Sequence, residues 1–416
     1  MEHGDTSDLD GSPAPHPEDA GAARATGLGR RRFAAALLAA ATLRPTVTNS
    51  TRIEADPRVD PRADFAGREV VPSFRGPRPE GWAEEFRAEW SAYAQRYVMP
   101  DGRVVDTANR GISHSEGQGS ALLFAAEAND LPSFERILGW TMRNLRRRSD
   151  NLLAWRFQPG LSTPVTDTNN ATDGDILMAW ALQRGAERFG RPDFAEQAER
   201  IARDILSVCT RRVASRLVLL PGAQGFERHD HVVLNPSYYI FPALLDFAAL
   251  VPGPAWRQLV EDGLHLTCRE GVFGRWNLPA DWIEVSRDPG RPVRLFADRP
   301  PRFSWDAVRV PLNLAWGRQS SEPALRACAG FWTDPGHGGR LPAWVDLRED
   351  RLAPYPGHAG IQAVAALAGA ARQPAAARRL PGVRDSTDYY GASLVLMARI
   401  ARVEAQREEG ADIRQS

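Results

Sequence analysis

From Trp82 onward, apolar residues return at three- and four-residue spacing in about a dozen segments, and this periodicity narrows the fold more than any other feature. The segments begin near Trp82, Glu116, Pro132, Asp173, Pro192 and Pro236, then near Pro254, Trp305, Glu322, His358, Pro374 and Tyr389. Pro, Gly and Asn punctuate most of the junctions. Strand-like alternation is confined to short pieces such as Arg216–Leu220 and Val293–Phe296. So many amphipathic helices can cover their apolar faces only against one another. The spacing therefore predicts an all-α domain of packed helix pairs. No internal repeat of solenoid type is visible. The longer connections, 147–172, 210–235 and 269–304, hold polar and aromatic residues, and in a helical scaffold a binding face is built there.

The 416 residues balance to a formal net charge of zero, which removes the electrostatic case for nucleic acid or an anionic membrane as a partner. Cys209, Cys268 and Cys328 are far apart, show no metal spacing and read as small buried hydrophobes. The pair in His229-Asp230-His231 stands alone and reads as a solvated turn, so neither a metal nor another cofactor is expected. Residues 1–28 lack apolar periodicity and are expected to be disordered. Gly29-Arg30-Arg31-Arg32-Phe33, followed by the Ala-rich run 34–41, looks like a twin-arginine export signal. That run is too short for stable membrane insertion. Residues 1–45 are accordingly read as leader and export signal, which expects a periplasmic or secreted protein. Residues 46–78 read as a Pro- and Arg-rich linker, 79–406 as the helical domain and 407–416 as a C-terminal tail.

Three helix starts are more polar than capping requires. Asn169-Asn170-Ala171-Thr172-Asp173-Gly174-Asp175 precedes the apolar run 176–182. One capping side chain would satisfy the free N–H groups, whereas this stretch groups two carboxylates, which raise each other's pKa and suit acid–base work. The competing reading is a capping loop with solvated aspartates. In Ser113-His114-Ser115-Glu116-Gly117-Gln118-Gly119, Ser115 is expected to cap the helix and Glu116 to favour its positive end. The two glycines cost the helix roughly 1 kcal/mol each against alanine, which points to a ligand approaching the backbone closely. In Phe303-Ser304-Trp305-Asp306-Ala307-Val308-Arg309-Val310-Pro311, Asp306 and Arg309 share a helix face, so the guanidinium can hold the carboxylate ionised. Such a pair is more often solvated, but its neighbours Trp305, Val308 and Val310 argue against exposure.

These blocks resemble glycoside hydrolase family 8, the bacterial cellulase group. Ser115-Glu116-Gly117-Gln118-Gly119, Ala171-Thr172-Asp173-Gly174-Asp175, Asn235-Pro236-Ser237-Tyr238 and Trp305-Asp306-Ala307-Val308-Arg309 stand in family order, with Tyr389-Tyr390 as a weaker fifth match. The resemblance implies an (α/α)6 barrel over 79–406 and an inverting endo-β-1,4-glucanase with a β-1,4-linked polysaccharide as substrate. It implies Glu116 as general acid, Asp306 as general base, and Asp173 as the carboxylate that grips and distorts the sugar at the cleavage point. Arg309 would keep Asp306 charged, Tyr238 would help hold the attacking water, and Trp155 and Trp305 would stack on sugar rings. Asp175, Asn235, Tyr389 and Tyr390 join the expected substrate-binding set. Two departures from the family touch packing and subsite shape: Ser120-Ala121 replaces a frequent Tyr-Gly, and Trp180, Gln183 and Gly185 follow Asp173. They leave the polymer open between cellulose, xylan, chitosan and mixed-linkage glucan. The role is open too, between polysaccharide degradation and association with the machinery of cellulose synthesis. A glycan-binding barrel without activity is the alternative of a different class, and the retention of Glu116, Asp173 and Asp306 together speaks against it.

Overall fold

The computed structural model describes residues 78–372 and 379–405. The leader and export signal, nearly all of the linker, the tail and the helix expected near Pro374 lie outside the described residues. Eleven α-helices are present among the described residues: α1 (Trp82–Tyr97), α2 (Ser115–Glu127), α3 (Leu131–Leu145), α4 (Thr172–Phe189), α5 (Pro192–Cys209), α6 (Phe241–Leu250), α7 (Pro254–His265), α8 (Arg309–Trp316), α9 (Pro323–Trp332), α10 (Ala359–Arg372) and α11 (Tyr389–Ala405).

Six of them close a ring. Helix α2 packs on α4, α4 on α6, α6 on α8, α8 on α10, α10 on α11, and α11 back on α2. The remaining five lie outside it, with α3 against α2, α5 against α4, α7 against α6, α9 against α10 and α1 against α11. Apolar patterning follows this division. In α5 only one stripe is buried (Phe194, Ala198, Ile201, Ala202, Ile205), as an outer helix requires. Every residue of α4 from Thr172 to Leu182 is buried, as it must be in a helix covered on all sides. The inner helices run in one direction: Glu116, Asp173 and Arg309 meet at the starts of α2, α4 and α8. Arg184, Trp316 and Glu404 meet at the ends of α4, α8 and α11 through a fully buried ion pair. The ring therefore has one end made of helix N-termini, whose partial positive charge favours carboxylates.

Two predicted helix starts shift. Pro236–Tyr238 is a 3-10 turn and α6 begins at Phe241, with Pro242 in its first turn. Helix α8 begins at Arg309, not Trp305, because the N–H groups of Arg309 and Val310 go to the carbonyls of Asp306 and Ala307, three residues back, which makes 305–308 a turn. Short strands are also more numerous than expected. The pairs that matter here are β1 (Ser113–His114) with β2 (Arg156–Phe157), β3 (His231–Leu234) with β4 (Ile283–Ser286), and β5 (Arg302–Phe303) with β6 (Val345–Asp346), all antiparallel. They rigidify the loops at the N-terminal end of the ring.

The glycines of the acidic helix starts answer to packing instead of to a ligand. A Cβ on Gly119 would lie 2.8 Å from Leu177 Cβ and 2.9 Å from Met178 N. One on Gly174 would press into Ser115 Oγ and come within 2.7 Å of Glu116 N, and one on Gly117 would lie 2.6 Å from the Tyr389 hydroxyl. Gly119 and Gly174 thus let α2 and α4 touch along their first turns, which is what sets Glu116 beside Asp173. Gly119→Ala is expected to destabilise the fold by about 1–3 kcal/mol, since backbone cannot yield as a side chain can. Thermal unfolding of the two proteins checks it.

Candidate active site

Arg309 stands at the centre of the N-terminal end. Its Nη1 donates to Glu116 Oε1 at 2.8 Å and to Asp173 Oδ2 at 3.0 Å, while Nη2 donates to Asp306 Oδ1 at 2.8 Å. One buried guanidinium thus joins three carboxylates drawn from three helix starts. Residues that are 193 apart in the chain are brought into contact by the closing of the ring. Burial disfavours the cation, but the charges of Glu116 and Asp173 more than offset it and hold Arg309 firmly cationic.

Asp173 is almost wholly buried, and its second oxygen accepts the Gly174 N–H at 2.8 Å. Burial, and then the charge of Glu116, push its carboxyl up to about 7 against the pull of Arg309. Glu116 keeps more exposure, 18% of its side chain, and faces a groove also lined by Asp106, His114, Trp155, Tyr389 and Tyr390. Trp155 and Ala171 continue that groove into a second depression lined by Phe226, Tyr238 and Trp282. The Trp155 indole donates to Asp167 at 2.7 Å, and the Arg156 guanidinium lies 4.4 Å from its ring centroid. Phe226 and Trp282 stack with centroids 6.1 Å apart. Tyr238 lies under Arg309, and burial followed by the charges of Asp173 and Asp306 holds its phenol well above the usual range.

Several expected roles are corrected. Ser115 does not cap α2: the cap is His114, whose Nδ1 accepts the Gly117 N–H at 3.2 Å. With Nδ1 accepting, Nε2–H faces Asp106 Oδ2 at 3.4 Å. Burial disfavours the imidazolium, but the bond and charge of Asp106 outweigh this and raise the pKa of His114. Asp175, expected in the substrate-binding set, is fully buried away from the groove, where it accepts Leu153 N–H and Asn170 Nδ2–H at 2.8 Å each. It fastens the loop that leads to Trp155. Burial, not its neighbour Asp173, pushes its carboxyl up to about 8. Asn235 is likewise fully enclosed, and its oxygen caps the turn that carries Tyr238 by accepting from Ser237 N and Oγ. Neither aspartate of the pair is solvated.

The remaining expected residues gather near the site. Tyr389 packs edge-on to His114 at 5.5 Å, the Tyr390 hydroxyl donates to the Trp305 carbonyl, and the Trp305 indole stacks on His358 with 2° between the planes. Ser120, one of the family departures, donates to the Glu116 carbonyl at 2.8 Å and so braces the acidic turn. Gly185, another, faces the Phe134 ring, where a Cβ would come within 2.7 Å.

Sequence reasoning missed Asp281 and Trp282. Trp282 Nε1 donates to Asp306 Oδ2 at 3.1 Å. Asp281 Oδ1 accepts the N–H groups of Ser304 at 3.0 Å and Ala307 at 2.8 Å, and its Oδ2 bonds the Ser304 hydroxyl. Burial, and next the charge of Asp306, push Asp281 up to about 7. The only local signal was a charged and an aromatic residue together in a long connection.

A closed ring of inner helices, three carboxylates on one cation at their starts, and a groove edged with indole and phenol faces are parts that a glycoside hydrolase uses. The particular family follows from comparison: the chain belongs to glycosyl hydrolases family 8, whose model matches residues 80–404. It is 43% identical over 345 residues to a probable endoglucanase of Novacetimonas hansenii, covering 82% of this chain and 98% of the relative. It is 40% identical to an endoglucanase of Cellulomonas uda, over 69% of this chain and 77% of the relative. Among solved structures, an endo-β-1,4-glucanase from Acetobacter xylinum superposes with a TM-score of 0.73 at 43% identity, covering 78% of this chain and 99% of that one.

Proposed function

We propose that the protein is an exported endo-β-1,4-glucanase that cleaves cellulose or a related β-glucan with inversion at the anomeric carbon. Glu116 gives its proton to the leaving glycosidic oxygen as the C1–O bond breaks. Asp306 takes a proton from a water whose oxygen bonds C1 from the opposite face, so a β-linked chain yields an α product. Asp173 binds the sugar at the cleavage point, Arg309 holds Asp306 ionised, and Tyr238 helps hold the water. No covalent intermediate forms. Export rests on the arginine run before residues 34–41, and the choice of a β-1,4-glucan rests on the likeness to the endoglucanases above.

The observation that carries the mechanism is the shared guanidinium. Glu116 and Asp306 each accept from it at 2.8 Å, so the proposed acid and base are held on one cation beside one groove, while inversion itself rests on the likeness to the family. Protonated Glu116 can accept from Arg309 through its carbonyl oxygen while its O–H faces the groove.

Reducing-sugar release is expected to be fastest on carboxymethyl-cellulose among carboxymethyl-cellulose, xylan, chitosan and mixed-linkage glucan. Proton NMR of the first product should show the α anomer. A faster rate on xylan would remove the substrate assignment, and a β anomer appearing first would remove inversion.

A further inference from the structure

We infer that the dipeptide Asp281-Trp282 is the positioning element of the base, fixing both the backbone and the carboxylate of Asp306. This deepens the reading above and rests on Asp306 being the base. The turn 304–308 connects β5 to α8 and is neither strand nor helix. A turn of that kind leaves N–H groups without partners in regular structure. Two of them, on Ser304 and Ala307, flank Asp306 in the chain, and both are given to one oxygen of Asp281. The other oxygen of Asp281 takes the Ser304 hydroxyl. Asp281 is itself held, because its own N–H donates to the Arg302 carbonyl at 2.8 Å and Trp282 accepts the Phe296 N–H at 3.2 Å.

The next residue acts on the side chain. Arg309 secures Asp306 Oδ1, and Trp282 Nε1 secures Oδ2, so both oxygens have a donor and the carboxylate plane is set. The indole is steadied by Phe226, which stacks on it at an interplanar angle of 10°. Asp281 and Trp282 are both buried, with 7% and 6% of their surface exposed. A carboxylate buried this deeply in a turn, with every hydrogen bond directed at the segment bearing the base, does more than satisfy local structure. Proximity arguments give the reason for such a brace: a base misplaced by about 1 Å loses about a hundredfold in rate.

Asp281→Ala removes both backbone bonds and is expected to lower kcat at least about 50-fold, with KM for cello-oligosaccharides within about threefold. Asp281→Asn keeps an acceptor oxygen for the two N–H groups and is expected to restore kcat to within about fivefold of the unaltered enzyme. Trp282→Phe keeps the ring against Phe226 but takes a donor from the ionised base. Donation to a carboxylate lowers its pKa, so this variant is expected to move the acid limb of kcat/KM upward by about 0.5–1 pH unit. Should the alanine variant not fold, the asparagine and phenylalanine variants carry the test. A kcat for Asp281→Ala within about threefold of the unaltered enzyme, an Asn variant as slow as the Ala variant, or an acid limb unmoved by Trp282→Phe overturns the inference. Asp306→Asn assayed alongside separates the two levels: an active Asp306→Asn removes the base itself, whereas an inactive one with an unmoved limb removes only the brace.

Discussion

Glu116→Gln is expected to cut turnover on carboxymethyl-cellulose by about 10² to 10⁴-fold while leaving the Kd for cello-oligosaccharides nearly unchanged. Gln is isosteric, and its carbonyl oxygen can still accept from Arg309 Nη1, so the geometry of the cluster survives. Only the transferable proton is lost. The defect should depend on the leaving group. A β-cellobiosyl fluoride releases an anion that needs little protonation, so Glu116→Gln is expected to recover most of its rate on it. Asp306→Asn, which lacks the base that activates water, is expected to stay inactive on both substrates. Steady-state rates on the two substrates, with binding by calorimetry, give the comparison. An acid variant equally slow on the fluoride would show that Glu116 does something other than deliver a proton.

The ring of helices was legible because its signal is local: each segment declares its apolar stripe within a few turns, as Phe194 to Ile205 does in α5. The polar starts of α2 and α4 were legible for the same reason, since Glu116 and Asp173 break an otherwise apolar pattern. Their convergence was not. Nothing at Arg309 announces that its second nitrogen reaches Glu116 and Asp173 as well as its neighbour at i−3. That contact follows from ring closure, a property of the whole chain. The burial of Asp175 was not legible because spacing puts it beside Asp173 in sequence, while the helix turns its side chain toward Leu153 and away from the groove. Gly117 and Gly119 were misjudged because a glycine at a helix start looks alike whether a ligand or another part of the fold approaches. Asp281 stood in a connection with no periodic signal, and its target lies 23 to 26 residues away.

Arg309→Gln is expected to be the most damaging single change, and its cost should depend on pH in a defined direction. The substitution leaves Glu116, Asp173 and Asp306 close together without their cation. A cation at hydrogen-bond distance lowers a carboxyl pKa by about 1–3 units, so its loss should raise that of the proposed base Asp306 and push Asp173 further up. A base works ionised, and activity climbs as pH rises through its pKa, so the acid limb of kcat/KM should move up by about 1–3 units. Stability follows the same groups. In the variant the folded pKa of Asp173 lies still further above its unfolded value, so the folded state holds more protons in that interval, and stability falls as pH rises through it. Breaking a buried pair costs about 3–5 kcal/mol where the orphaned charges persist, and much less where protonation removes them. The gap in melting temperature between Arg309→Gln and the unaltered protein should therefore be narrow near pH 5 and wide near pH 8. Asp173, already held up to about 7 with the guanidinium in place, is the group whose further rise should dominate that window. Arg309→Lys keeps the charge but loses the fork that bridges Glu116 and Asp306, so it should retain the stability profile better than the activity. A melting gap equal at both pH values would mean that Arg309 acts through packing and not as the counter-ion of the three carboxylates.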